Sequence, residues 1–235
     1  MNHRRNECFW EHNGNDTLLW SIRFPGASTR GQTLDDAMAK MPDEIQAYCS
    51  WAGIPFENMV TVITEEKDSN LMIRDADTDC IFQSEKQPLT RETYEHLRDL
   101  TLKSAIDFLT LYETIPQKEV SILPARKTFY GDVPITAKEM YEHTKNVNSY
   151  YFGEIGIDVD NRGTIYDCRL KGFNILEQSG DFLGNKVFVG SYGELWSLAK
   201  VLRRFIWHDR IHAKAMYRMA RKKFPDIHIV NPFQF

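Results

Sequence analysis

Between Ser191 and Phe224 the chain carries no proline, and apolar residues recur at helical intervals until Pro225 stops the pattern. Ser191, with Glu194 three residues on, reads as the N-cap and capping-box pair of a final helix about 45 Å long at 1.5 Å per residue. Such a helix needs a long apolar surface to lie against, which other long helices of the chain can supply. Arg91 to about Glu113 keeps Tyr94, Leu97, Leu100, Ala105, Phe108 and Tyr112 broadly on one side, before Ile115-Pro116 ends it. A second helix starts at Thr136, its N-cap, with Glu139 as capping-box partner and Ile135 placed to staple onto Met140; it runs to about Ile155. A short helix is expected in "FNILEQS" (Phe173–Ser179), inside the Gly-rich stretch Gly163 to Gly190. Four such helices over residues 88–235 predict an up-and-down four-helix bundle.

Residues 1–87 have a different texture. Thr17–Phe24 reads as a strand ended by Pro25-Gly26. Thr33 opens a helix with Asp36 at N3, carrying Leu34, Ala37, Met38, Met41 and Ile45 on one side; Pro42 should kink or split it, and Trp51-Ala-Gly53 ends it. Met59–Thr64 and Leu71–Ile73 are further strands, with Cys80–Phe82 another candidate. The expected fold class is therefore α+β: a small N-terminal α/β domain (1–87), then the bundle (88–235). The segment "FPGASTRGQTLDDAM", leading into the helix, loosely resembles the HicB-like antitoxin fold.

With 235 residues, 42% of them hydrophobic and 26% charged, the chain has ordinary globular composition, which excludes collagen, a coiled-coil rod and a disordered tail. No apolar stretch reaches the roughly 18 residues a membrane span needs, and Met1–Arg5 is not followed by an export signal, so a cytoplasmic protein without a membrane partner is expected. Four scattered cysteines read as reduced thiols. There is no GxSxG, P-loop or GxGxxG, which leaves serine-hydrolase and nucleotide chemistry poorly supported. The net charge of −4 hides nine Lys/Arg between Glu194 and Lys223, against Glu194 and Asp209 alone. Eight of the nine fall between about +80° and +200° of Leu202 on a 100° wheel, which reads as a solvated face or one that meets an acidic partner.

The histidines carry the functional signal. His208 and His212 are four apart on the last helix, close enough for one metal ion. Seven histidines in this length would give roughly 0.2 such pairs by chance, so the spacing alone is weak. On the wheel they lie at about −120° and −80°, away from the cations and beside the core stripe, where a buried ring nitrogen needs a partner. His143 supplies a candidate from the second helix, on the face with Met140, Thr144, Val147, Tyr150, Tyr151 and Glu154 that should be buried. Three inward-pointing imidazoles match the ligand set of an open metal site. Glu154 is a candidate catalytic carboxylate, Tyr150 a pocket residue, and Asp209 either orients a histidine ring or pairs with an arginine.

A lone histidine early in the second helix and "WHDRIHAKAM" after the apolar–basic run "LAKVLRRFIW" resemble the DinB/YfiT-like family over about Pro88 to Phe224. The resemblance implies a divalent metal, nickel or zinc, on His143, His208 and His212. It also implies, from some members, thiol S-transferase or isomerase chemistry on low-molecular-weight thiols. A small-molecule, thiol substrate and a homodimer are the expected partners. The alternative is a non-enzymatic binding or regulatory protein, whose N-terminal domain recognises a protein or nucleic acid while the helices dimerise.

Overall fold

A computed structural model describes residues 4–70, 72–73, 80–128 and 131–235, in a mixed α+β fold with a small N-terminal sheet and five α-helices among the described residues. In chain order the elements are β1 (Arg4–Asn13), β2 (Asp16–Ser21), β3 (Ser28–Gly31), α1 (Leu34–Ala52), β4 (Met59–Asp68), α2 (Arg91–Glu113), β5 (Lys127–Thr128), β6 (Gly131–Asp132), α3 (Ala137–Gly153), α4 (Ile165–Glu177), β7 (Phe188–Val189), β8 (Leu195–Trp196) and α5 (Leu198–Lys223).

The sheet has the order β3-β2-β1-β4. The turn between β1 and β2 is made by Gly14, at φ +57°, a conformation glycine adopts without steric cost. β4 returns parallel to β1 through the α1 crossover, as a parallel pair requires. β1 falls outside the expected strands because its alternation is masked: Asn6 and Glu11 occupy buried positions beside Cys8 and Phe9. Asn6 Oδ1 accepts from the Ser21 hydroxyl at 2.6 Å, and Glu11 Oε2 accepts from Trp20 Nε1 at 3.4 Å, so buried polar groups stand where a pattern reader looks for apolar ones.

α1 runs through Pro42 without a break. The proline removes one helical hydrogen bond, at roughly 3 kcal/mol, but Met41, Ile45, Tyr48 and Cys49 on the same helix are buried against the sheet side, and Thr33 and Gly53 cap its two ends. Ile73 lies in a turn and Cys80–Phe82 is not a strand; Leu71 lies outside the described residues.

Helix α2 packs on α3, α4 and α5, and α3 packs on α4 and α5. The expected short helix is longer and starts earlier. Thr164 and Asp167 form a complete capping box, and α4 lies so close to α3 that a Cβ on Gly172 would sit 2.1 Å from the Phe152 ring. The capping box at Thr136 and Glu139 is present as expected. The start of α5 differs: Ser197, not Ser191, is the N-cap, its hydroxyl accepting from Lys200 N and donating to Glu85 O at 2.7 Å. Tyr192 (φ +60°) and Gly193 (φ +73°) turn the chain, so that Leu195–Trp196 pairs with Phe188–Val189 before the helix begins.

The basic side of α5 is solvated only in its last turns, where Arg218, Arg221, Lys222 and Lys223 are exposed. Lys200, Arg203, Arg204 and Arg210 are all buried. The N-terminal residues lie on that side and supply the counter-charges: Arg203 is paired with Glu85, and Arg210 Nη2 and Lys214 Nζ reach Glu44 at 2.7 and 3.1 Å. Arg203 also lies over Phe82 and Trp20, its guanidinium carbon 4.0 and 4.6 Å from the ring centroids. The acidic partner that the charge pattern called for is in the same chain. One apolar cluster joins Cys8, Leu19, Met41 and Ile45 to Leu100, Phe108, Ile206 and Met216.

Candidate metal centre

α5 and α3 lie side by side, and this places the second turn of α3 against the middle of α5. His143, His208 and His212 converge there, with one ligand atom from each all within 4.8 Å of one another. The ring centroids are 4.9 Å (His143–His208), 4.9 Å (His143–His212) and 4.5 Å (His208–His212) apart. His143 Nε2 and His208 Nε2 approach to 3.1 Å. Bonds of about 2.0–2.1 Å at tetrahedral angles hold two ligand nitrogens roughly 3.4 Å apart, so the cluster needs only small side-chain shifts to close on one ion.

His208 is buried, His212 half-buried and His143 exposed. Of the α3 face expected to be buried, Met140, Thr144, Tyr151 and Glu154 are buried and Val147 and Tyr150 partly so; His143 is the exposed member, so one imidazole of the cluster meets solvent. Burial, reinforced by His212 and His143, holds the His208 pKa well below the ordinary imidazole value. Burial first, then His143 and Arg30, holds His212 down to about 3. Both rings are therefore neutral at pH 7, the form that binds a metal. Two Nε2 atoms at 3.1 Å can share only one proton between them, so at least one lone pair faces into the cluster. His208 Nδ1 is buried and has no hydrogen-bond partner among the described residues, so no carbonyl or carboxylate among them fixes that ring. The donor set fits a divalent ion: three nitrogen ligands, no carboxylate among the described members of the group, and coordination positions left over.

The other three expected residues are placed elsewhere. Asp209 points away from the imidazoles and pairs with Arg169 of α4, whose Nη1 and Nη2 each donate to it at 2.9 Å; the Ser104 hydroxyl of α2 donates as well. Of the two roles expected for Asp209, the structure shows the arginine pair. Burial raises the Asp209 pKa, and Arg169 and Ser104 oppose that rise. Glu154 caps the end of α3 and accepts from Ser191 N at 2.7 Å, which pins the loop before α5; this is a structural contact for the carboxylate offered as catalytic. Tyr150 packs its ring on Tyr151 and Trp196, 5.6 and 5.9 Å away, toward the far end of α3. Tyr151, its neighbour, is the tyrosine that reaches the site, with its ring 6.0 Å from that of His208. Arg204 Nη2 donates to the Tyr151 hydroxyl at 3.3 Å and adds positive charge beside His208. The wheel alone could not separate Tyr150 from Tyr151, since both lie on the buried side of α3.

The four cysteines are buried and unpaired with one another, and burial raises the thiols of Cys8, to about 12, and of Cys49 and Cys168. No helix among the described residues is long and apolar enough to cross a membrane. No protein-family model matches the chain, and no curated protein or solved structure matches it either.

Proposed function

We propose that the chain is a divalent-metal-dependent enzyme of the DinB/YfiT-like type, with nickel or zinc held by His143, His208 and His212, and that it transfers or isomerises groups on a small thiol. The observation that carries this reading is the convergence of three imidazole ligand atoms within 4.8 Å of one another, one of them on an exposed residue. The packing of α2, α3, α4 and α5 on one another supports a bundle of that type. When bound there, a divalent ion supplies Lewis acidity that favours the thiolate, the nucleophilic form of a thiol.

The chain's own residues do the rest. His208 and His212 stay neutral because they are buried, so they present lone pairs and no positive charge to an incoming cation. Arg204 and Tyr151 form the wall behind His208, and the cationic side chain there favours an anionic over a neutral sulfur. Trp196, Tyr151 and Phe205, all buried and packed on one another, exclude water from the Tyr151 side of His208. In an S-transfer the thiolate sulfur forms a bond to carbon as the leaving group departs with its electron pair, and the thiol proton passes to solvent through the open His143 side. A homodimer belongs to the same proposal and is read by light scattering.

The test is metal analysis of the purified chain after loading with Zn(II) or Ni(II) and dialysis, followed by thiol consumption with an electrophilic aryl halide. One equivalent of metal, lost in His208→Ala together with the rate, is the expected result. A chain that retains no metal overturns the proposal, and a metal-loaded chain with no thiol-dependent rate overturns its enzymatic part.

A further inference from the structure

A cavity of about 280 Å³ lies where the turn after β2, the end of α1 and the start of β4 meet α2, and none of His143, His208 and His212 lines it. Tyr48 and Ala52, four apart on α1, share one helix face and line it together; His96 and Leu100 do the same on α2. The turn that carries Arg23 and Phe24 is held by its own hydrogen bonds, Phe24 N donating to Ser21 Oγ at 3.2 Å and Ala27 N to Phe24 O at 2.9 Å. Gly53, at φ +69°, reverses the chain after α1, and Ile54 N donates to Cys49 O at 3.0 Å, which fixes the start of the Ile54–Glu57 loop beside the same space. These walls are set without a ligand, as in most small-molecule pockets. Phe24, Tyr48 and Leu100 are buried and give an apolar floor, while Arg23, Ile54 and His96 are exposed and mark the mouth.

The charges at the mouth do not cancel. Glu57, the carboxylate that lines the cavity, is paired with Arg4. Arg23 makes no ion pair among the described residues: its Nη1 donates to Met59 Sδ at 3.6 Å, a weak acceptor, and its guanidinium carbon lies 5.4 Å from the Phe24 ring centroid. A guanidinium fork without a carboxylate, above an apolar floor, matches a ligand that is acidic at one end and apolar at the other. The volume lies at the small end of ligand pockets, which run from roughly 300 to 1,000 Å³, so one ring with a short acid arm is the size that suits it. We propose that this cavity binds a small monocarboxylic acid, its apolar body on Phe24, Tyr48 and Leu100 and its carboxylate on Arg23, with His96 beside it. The site is separate from the metal centre and stands or falls without it.

Isothermal titration of the full chain with 3-phenylpropionate and with 3-phenylpropan-1-ol, a neutral probe of nearly the same shape, tests it. A charge-assisted hydrogen bond at an exposed guanidinium gives about a tenfold preference for the acid. Arg23→Gln should bring the two affinities together, and Arg23→Lys should restore part of the difference. Acetate, which lacks the ring, should bind more than about tenfold more weakly than 3-phenylpropionate. His208→Ala should bind the acid as the wild type does. No binding of 3-phenylpropionate, equal affinities for acid and alcohol, or an undiminished preference in Arg23→Gln would overturn the proposal. Acetate binding as tightly as the ring compound would leave only a surface anion contact, and loss of binding in His208→Ala would place the acid on the histidines; either result overturns the cavity as the site.

Discussion

Replacing Asp209 by Asn removes one charge from a pair that has no solvent contact: both side chains are 0% exposed. Two guanidinium nitrogens donate to Asp209 at 2.9 Å, and the Arg169 carbon lies 4.0 Å from the Phe205 ring centroid. In Asp209→Asn the guanidinium stays buried with no counter-charge, a loss of about 3–5 kcal/mol. That is a large share of the roughly 5–15 kcal/mol that holds a domain folded, and for a chain of this size it corresponds to a fall of about 6–20 °C in Tm. Urea and thermal unfolding followed by circular dichroism measure it. The double variant Arg169→Met, Asp209→Leu should recover most of the loss, because apolar side chains of similar volume carry no desolvation cost. Since neither oxygen of Asp209 is engaged with an imidazole in the contacts seen, zinc affinity of Asp209→Asn measured at low temperature should stay within a few-fold of wild type. A destabilisation below about 1 kcal/mol would refute the buried-pair argument, and a hundredfold loss of zinc affinity in a folded variant would return Asp209 to the metal centre.

Further outcomes follow from the same structure. His143 is exposed, so His143→Ala should leave the metal-free Tm nearly unchanged; it should abolish the zinc-induced rise, which in the wild type is worth about 2.7 kcal/mol at a hundredfold excess over Kd. Differential scanning with and without zinc separates the two effects, and an undiminished zinc shift would count against His143 as a ligand. Lys200 is pushed down to about 8, chiefly by burial and then by Arg204, while the unfolded side chain keeps its proton to about 10.4. Between pH 8 and 10 the unfolded state therefore binds more protons, and wild-type stability should rise relative to Lys200→Met, by up to about 3 kcal/mol over the full window. A gap between the two proteins that does not move with pH would contradict this. Gly172→Ala should destabilise by about 1–3 kcal/mol, because its Cβ would overlap the buried Phe152 ring; a neutral result in urea unfolding would show that α3 and α4 can separate at no cost.

What could be read from the chain depended on whether a signal was local. The capping box at Thr136 is a contact between residues three apart, and α3 starts where it says. The i, i+4 pair on α5 is equally local, and it was the match with His143 on another helix that required packing to be guessed correctly. The start of α5 was missed because two serines compete. Only Ser197 has its hydroxyl held by Glu85 O, a residue 112 positions away. The basic face of α5 could not be divided for the same reason: its last turns are solvated, and only Glu44 and Glu85, from elsewhere in the chain, show that its first half is buried against acidic partners. Strand β1 hides behind buried Asn6 and Glu11, whose partners Ser21 and Trp20 are on the next strand.

The central claim is that His143, His208 and His212 hold one divalent ion, and X-ray absorption at the metal edge of the zinc- or nickel-loaded chain tests it most directly. The account predicts one equivalent of metal whose inner shell contains three imidazole nitrogens at about 2.0–2.1 Å, and loss of that shell in His208→Ala. A chain that binds no ion, or one whose bound metal shows an oxygen shell without imidazole scattering, would contradict it.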